Sequence, residues 1–189
     1  ITFGSFNTFS KISDETITVW SEILKKTNSK LILKSSIKRY DKANEILLDK
    51  FESTGVNLNN IKFLERSNTK TEHLKCYNQI DISLDTFPYN GATTSFEAIW
   101  MGVPVLTLCG KTFHSRYGFS INKNLDMTNF IAKNKKDYVK KAIKLSLKSN
   151  YHKLTEIRKS LRQKAIKSPL FNNKLFFKNF IKKLSQIPN

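Results

Sequence analysis

Residues 80–108 read IDISLDTFPYNGATTSFEAIWMGVPVLTL. A short apolar run over 80–84 is followed by a polar loop rich in turn residues. A helical stretch over 93–101 is entered through Asn90-Gly91 and left at Gly102, and a second apolar run covers 103–108. Two short, nearly continuous hydrophobic strands joined by one helix form a βαβ unit, and such strands are buried on both faces of a parallel sheet.

The same alternation extends in both directions. Upstream, strands are expected over 1–6, 31–33 and 61–64. Helices are expected over 14–26 (Ile17, Trp20, Ile23 and Leu24 at helical spacing, Ser13 or Asp14 as cap), over 40–53 (Ile46, Leu47 and Phe51 inward, Gly55 ending it) and over 71–78. Downstream, a weak sixth strand is expected near 128–131, and beyond about Lys135 the pattern is only helical: 137–148, 152–167 and 174–184. The last of these places Phe176, Phe177, Phe180, Ile181 and Leu184 on one face, expected to pack on the domain or on a missing lobe. The predicted fold is α/β: a Rossmann-like parallel sheet with helices on both faces over 1–134, and a helical C-terminal extension over 135–189 packed on it.

Composition bounds the function. The chain has 189 residues, 39% of them apolar, enough for one domain with a real core. No apolar run approaches the roughly 18 residues needed to span a bilayer. Cys76 and Cys109 form no CxxC or zinc-ligand pattern, and no metal set is visible. The net charge is +18 and is uneven. Residues 1–132 hold 16 Lys/Arg and 13 Asp/Glu, a net of +3; residues 133–189 hold 17 and 2, a net of +15. Such asymmetry raises nucleic acid or an acidic membrane as partners. Of the 33 cations 28 are Lys, beside 18 Asn, the composition of an AT-rich genome, and the charge is read as solvated helix surface. The chain opens without an initiator Met or signal peptide, on a strand already under way, as expected of a piece of a longer protein.

In an open parallel sheet, ligands bind beyond the carboxyl ends of the strands. After the first strand come Asn7, Thr8 and Lys11; a lysine there can neutralise charge growing on a leaving group. After the third come Lys70 and His73, where an imidazole face can stack on a heterocycle. After the fourth, Asn90, Gly91, Ala92, Thr93 and Thr94 lead into a helix whose free N–H groups and dipole attract anions. Glu97 lies one turn on and can accept bonds from sugar hydroxyls. Each piece has a plain alternative: an Asn-Gly turn, a capping Thr, a surface Lys, a half-exposed His. Neither a P-loop, a GxSxG elbow nor a GxGxxG fingerprint is present.

Together these residues resemble one family. The run from Asp81 to Thr94, then Glu97-Ala-Ile-Trp100-Met-Gly-Val-Pro104, Gly110 and Ser115-Arg116, the opening Phe6–Ile12 stretch and the late Ser168-Pro-Leu-Phe171 are similar to the C-terminal catalytic lobe of O-GlcNAc transferases, SPINDLY-like members included. The resemblance implies the C-terminal lobe of a two-lobed GT-B glycosyltransferase, inverting and metal-independent, with UDP-GlcNAc as donor substrate and no separate cofactor. It implies protein Ser/Thr hydroxyls as acceptors, an N-terminal lobe and tetratricopeptide repeats elsewhere in the parent chain, and a cytoplasmic location. Lys11 would stabilise departing UDP, Thr8 would lie beside the diphosphate, His73 would stack on uracil, and Lys70 and Glu97 would reach the ribose. Ala92, Thr93 and Thr94 would meet the phosphates. Two departures stand out: Ala92 replaces a His of animal members, and Cys76 an Arg. Two other readings compete, a basic helical surface for membrane or nucleic acid, and a degenerate lobe kept as scaffold.

Overall fold

The computed structural model describes residues 1–35 and 41–187. Six strands form one parallel sheet: β1 (Thr2–Ser5), β2 (Lys30–Lys34), β3 (Ile61–Leu64), β4 (Ile82–Leu84), β5 (Val105–Leu108) and β6 (Ile131–Ala132). Their order across the sheet is β3-β2-β1-β4-β5-β6. The chain winds outward from β1 to β3, crosses back, and winds outward again from β4. Right-handed crossovers then place the helices of the two halves on opposite faces.

On one side lie α1 (Asp14–Thr27), α2 (Asp41–Glu52) and α6 (Lys135–Ser146), with α1 packed against both others. On the other lie α4 (Thr93–Trp100), α5 (Tyr117–Asn124) and α7 (Tyr151–Lys167), with α4 packed against both. The short α3 (Lys70–Lys75) stands between β3 and β4 in sequence. The sheet buries Phe3, Leu31, Leu33, Ile82, Leu84, Val105 and Leu106 between these layers. Trp20, Ile23 and Leu24 of α1 and Tyr138, Val139 and Ala142 of α6 close the first face.

Local chemistry explains the boundaries. Ser13 caps α1 by accepting the Thr16 N–H, and Thr69 and Glu72 form a capping box on α3. After α2 and α4 the chain turns through left-handed glycines, Gly55 (φ 73°) and Gly102 (φ 75°). On the second face the Arg158 guanidinium donates to the carbonyls of Ile80 and Asp81 at 2.7 and 2.9 Å, and Arg162 covers the Trp100 ring at 4.2 Å. These contacts tie α7 to the start of β4 and to α4.

Several expectations need correction. Ile46 does not point inward: it is 48% exposed, whereas Leu47 and Phe51 are buried. Tyr40, the expected first residue of α2, lies outside the described residues. The segment near 128–131 is mostly a 3-10 turn (Thr128–Phe130), with β6 beginning only at Ile131. Helix α5 was not anticipated. The last helix, α8 (Asn173–Leu184), does not pack on the domain: Phe176, Phe177, Phe180, Ile181 and Leu184 are all between 46% and 66% exposed. Its Phe176 and Phe180 rings stack on each other, 5.8 Å apart. By contrast, α6 and α7 are packed elements, burying Tyr138, Leu154 and Leu161.

Candidate functional site

The reversal of strand order falls between β1 and β4, and the crevice beyond their carboxyl ends is where such sheets bind ligands. The turn after β1 and the loop after β4 meet there. Asn7, buried, accepts a 2.7 Å hydrogen bond from the Thr94 hydroxyl. The Lys11 ammonium donates to the Asn90 carbonyl at 3.2 Å and sits 4.0 Å over the Tyr89 ring. Thr8 caps the 3-10 turn Phe9–Lys11, its carbonyl accepting the Lys11 N–H at 2.9 Å. Burial lowers the Lys11 pKa from its ordinary value, and the charge of Asp85 works in the opposite direction.

The loop after β4 is tied down on every side. The Ser13 and Thr16 hydroxyls of α1 both donate to the Phe87 carbonyl at 2.8 Å. Asn90 donates its side-chain amide to the Thr86 carbonyl and its backbone N–H to the His114 carbonyl. Asp85 accepts the Gly91 N–H at 2.7 Å with one carboxyl oxygen and the Thr107 hydroxyl at 2.7 Å with the other. The carboxyl is fully buried, and that burial raises its pKa from 3.8 to about 7 against the pull of Gly91, Thr107, Thr86 and Lys11. Gly91 is required by close approach: a Cβ there would lie 2.6 Å from the Thr94 hydroxyl and 2.7 Å from the Asn7 side-chain Oδ1.

The loop delivers the chain into α4. Ala92 occupies its N-cap and has no side-chain acceptor to offer. The Ser95 N–H turns back to the Ala92 carbonyl at 3.1 Å, so the Thr93 and Thr94 N–H groups, without partners inside the helix, are the ones that remain for an anion. Thr93 is exposed and Thr94 half-buried at this end.

One turn into α4, Glu97 faces α3. It shares a 3.1 Å hydrogen bond with His73 Nε2 and accepts one of 3.1 Å from the buried Tyr77 hydroxyl, which also donates to the Thr94 carbonyl. Burial works to raise the Glu97 pKa, but His73, Tyr77 and the Lys70 charge outweigh it and hold the carboxyl below its usual range. His73, Glu97 and the exposed Lys70 line one cleft with Lys34, Ser35 and Arg66. Lys34 is buried at the end of β2, and its ammonium donates to the Glu65 carbonyl.

The structure thus gathers the sequence-predicted residues into two adjoining sets. Asn7 and Lys11 meet Asn90, Gly91, Ala92, Thr93 and Thr94 at the entry to α4, Thr8 caps the turn that carries Lys11, and Lys70, His73 and Glu97 line the cleft beside it. Sequence reading missed Tyr77, Lys34, Tyr89 and the structural weight of Asp85. A tyrosine four residues after His73 on a helical stretch was the one available signal. Among the described residues no group of three or more His, Cys, Asp or Glu that could hold a metal is gathered, and no helix is long and apolar enough to cross a membrane. A second, apolar cleft between α6 and α7, bounded by Phe130, Leu145, Leu154 and Ile157, is lined by none of these residues.

Against known proteins, the model of glycosyl transferase family 41 matches residues 1–180. The chain belongs to that family. It is similar to the probable UDP-N-acetylglucosamine–peptide N-acetylglucosaminyltransferase SPINDLY of Solanum lycopersicum, 36% identical over 180 residues, which covers 95% of this chain and 19% of the relative. The SPINDLY protein of Hordeum vulgare is 37% identical over 177 residues, covering 93% of this chain and 18% of its own length. Among solved structures, a variant of the Thermobaculum terrenum O-GlcNAc transferase superposes with a TM-score of 0.86 at 28% identity, covering 96% of this chain and 35% of that one. The family 41 chain therefore spans about a fifth of the length of these curated relatives. The Rossmann-like α/β fold and the resemblance read from the sequence both stand.

Proposed function

We propose that this chain is the donor-binding lobe of a glycosyltransferase that moves N-acetylglucosamine from UDP to Ser/Thr hydroxyls of proteins. The observation that carries the reading is the meeting of Lys11, the Asn7–Thr94 bond and the α4 N-terminus at the β1/β4 reversal. It provides a cation and a set of fixed N–H dipoles at a position where the sheet places a ligand. The diphosphate would lie on Ala92, Thr93 and Thr94, with Asn7, Thr8, Asn90 and Gly91 shaping the turn. The nucleoside would enter the cleft of Lys70, His73 and Glu97.

Transfer requires stabilisation of the negative charge that develops on UDP. Preorganised donors supply this without reorganisation at the moment of reaction, and Lys11 is the residue we assign to it. In the proposed step the acceptor oxygen bonds to the anomeric carbon from the face opposite UDP, inverting it. The bond to the diphosphate breaks, the electron pair leaves with UDP, and the acceptor proton passes to a base outside this chain. No metal ion and no separate cofactor enters this scheme. An N-terminal lobe, tetratricopeptide repeats and a cytoplasmic location belong to the same proposal, as does the assignment of the exposed α8 face to the rest of the parent protein. The relatives, named as peptide glycosyltransferases and about five times longer, support it.

The test is calorimetry of the chain with UDP, UDP-GlcNAc, UDP-glucose and GDP. The expected result is uridine nucleotide binding that weakens about tenfold or more in Lys11→Ala and in His73→Ala, the loss of a charge-assisted or stacking contact. Unchanged affinity in both variants overturns the residue assignments. Tighter binding of GDP overturns the uridine assignment, and no nucleotide binding at all overturns the donor-lobe reading. The isolated chain is expected to transfer no sugar.

A further inference from the structure

Asp85 is 1% exposed, yet its carboxyl is bonded to the turn that leads into α4. One carboxyl oxygen accepts the Gly91 N–H, fixing the Asn90–Gly91 peptide one residue ahead of the α4 N-cap; the other accepts the Thr107 hydroxyl of β5. Helix α5 closes over the pair at Gly118, where a Cβ would fall 2.2 Å from the Thr107 hydroxyl and 2.6 Å from the Asp85 carboxylate. This close approach keeps water from the carboxyl. The titratable groups facing it are Lys11, from the turn after β1, and Tyr138, whose hydroxyl donates to the Asp85 backbone carbonyl from α6. Burial and the Asp85 charge push the Tyr138 pKa well above its usual range, so it stays protonated and Lys11 is the charge that responds.

We propose that Asp85 is a positioning residue for the donor diphosphate, holding the Gly91 turn in place and taking up a proton from solvent as the diphosphate binds. The inference rests on the donor-lobe reading and deepens it. A neutral carboxyl keeps the geometry: its carbonyl oxygen still accepts from Gly91, and its new O–H donates to Thr107, whose hydroxyl rotates to accept. Two changes on binding favour that neutral form. Diphosphate charge at the N-terminus of α4 repels a buried carboxylate behind the same turn. Lys11, which otherwise supports the ionised carboxylate, is drawn toward the diphosphate. Both act in the same direction, and the proton taken up prevents a buried negative charge from opposing the ligand.

The sign is definite. The free carboxyl titrates near 7, so donor affinity is level below that pH. Above it, affinity falls by up to about tenfold per pH unit until the bound-state pKa is passed. The probe is UDP-GlcNAc, whose diphosphate diester has no proton to lose in this range. Calorimetry of the 189-residue chain at pH 7 in two buffers of different ionisation enthalpy should show uptake of about half a proton. Asp85→Asn, which accepts from Gly91 and donates to Thr107 as the neutral acid does, should bind the donor with no uptake from this site and a flatter pH profile. Thr107→Val removes a donor to the carboxylate and should move the onset of the pH dependence upward. Donor binding with no proton uptake by the wild type overturns the inference and leaves the donor-lobe reading standing. Uptake unchanged in Asp85→Asn does the same. No UDP-GlcNAc binding by the wild type overturns the donor-lobe reading, and this inference with it.

Discussion

Asp85→Asn should stabilise the free protein, and the gain should grow with pH. In the folded state the carboxyl titrates near 7 instead of 3.8, because burial removes water from the charged form and the bonds from Gly91, Thr107 and Thr86 only partly replace it. A raised carboxyl pKa means the folded chain binds more protons than the unfolded chain between those values. Stability is therefore fully present below the unfolded pKa and is lost as pH rises through the folded one. A shift of about three units at about 1.4 kcal/mol each gives a loss on the order of 4 kcal/mol across this window. Asparagine is a neutral near-isostere that keeps the bonds to Gly91 and Thr107 and removes the titration. The variant should match the wild type to within about 1 kcal/mol at pH 4 and exceed it by a few kcal/mol at pH 8. Urea unfolding of both proteins at a series of pH values, at fixed salt because the chain carries +18, reads the difference directly. Other carboxyls titrate alike in both proteins and drop out of the subtraction. A stability difference that does not change with pH would refute the reasoning, since it would mean the carboxyl does not titrate as a buried group.

Other outcomes follow from the same geometry. Gly91→Ala must displace the Thr94 hydroxyl and the Asn7 amide from around a new Cβ, so unfolding should cost about 1–3 kcal/mol less than in the wild type and nucleotide affinity should fall; a thermal melt with and without UDP measures both. Tyr77→Phe removes a donor to the Glu97 carboxylate and to the Thr94 carbonyl. It should destabilise by about 1–3 kcal/mol at neutral pH in urea unfolding. That cost should shrink as pH falls through the depressed Glu97 pKa, where the stability held by this carboxylate is itself lost. Phe176→Ser with Phe180→Ser should leave stability within about 0.5 kcal/mol, because α8 buries none of its side chains, and should reduce self-association in analytical ultracentrifugation.

Much of the fold could be read from the chain because the strands are short apolar runs with turn residues at both ends. Residues 61–64 matched to the residue, and α1 and α4 began where Ser13 and Asn90-Gly91 said they should. What escaped depended on tertiary contacts. Helix α5 has few apolar positions and only a short apolar face. It is held instead by Asn122, whose amide donates to the Val105 and Phe130 carbonyls, and by the close approach at Gly118. Ile46 sits at helical spacing with Leu47 and Phe51, yet the core takes only the latter two. The site was legible as residue types at strand ends. Its assembly was not, because it depends on strand order: Lys11 and Asn90 lie 79 positions apart and meet only because β1 and β4 are neighbours. Nor could the weight of Asp85 be read there, since burial cannot be counted from neighbours in sequence. Tyr77 looked like an ordinary helix residue until its hydroxyl was found between Thr94 and Glu97.

The central claim is that the N-terminus of α4 and the cleft beside it receive a uridine diphosphate. Titrating UDP into the isotope-labelled chain and following backbone amide shifts tests it residue by residue. The predicted result is saturable shifts at Ala92, Thr93 and Thr94, at Lys11, and at Lys70 and His73, with α8 unmoved. Shifts confined to the cleft between α6 and α7, or to the lysines of the helical tail, would contradict it.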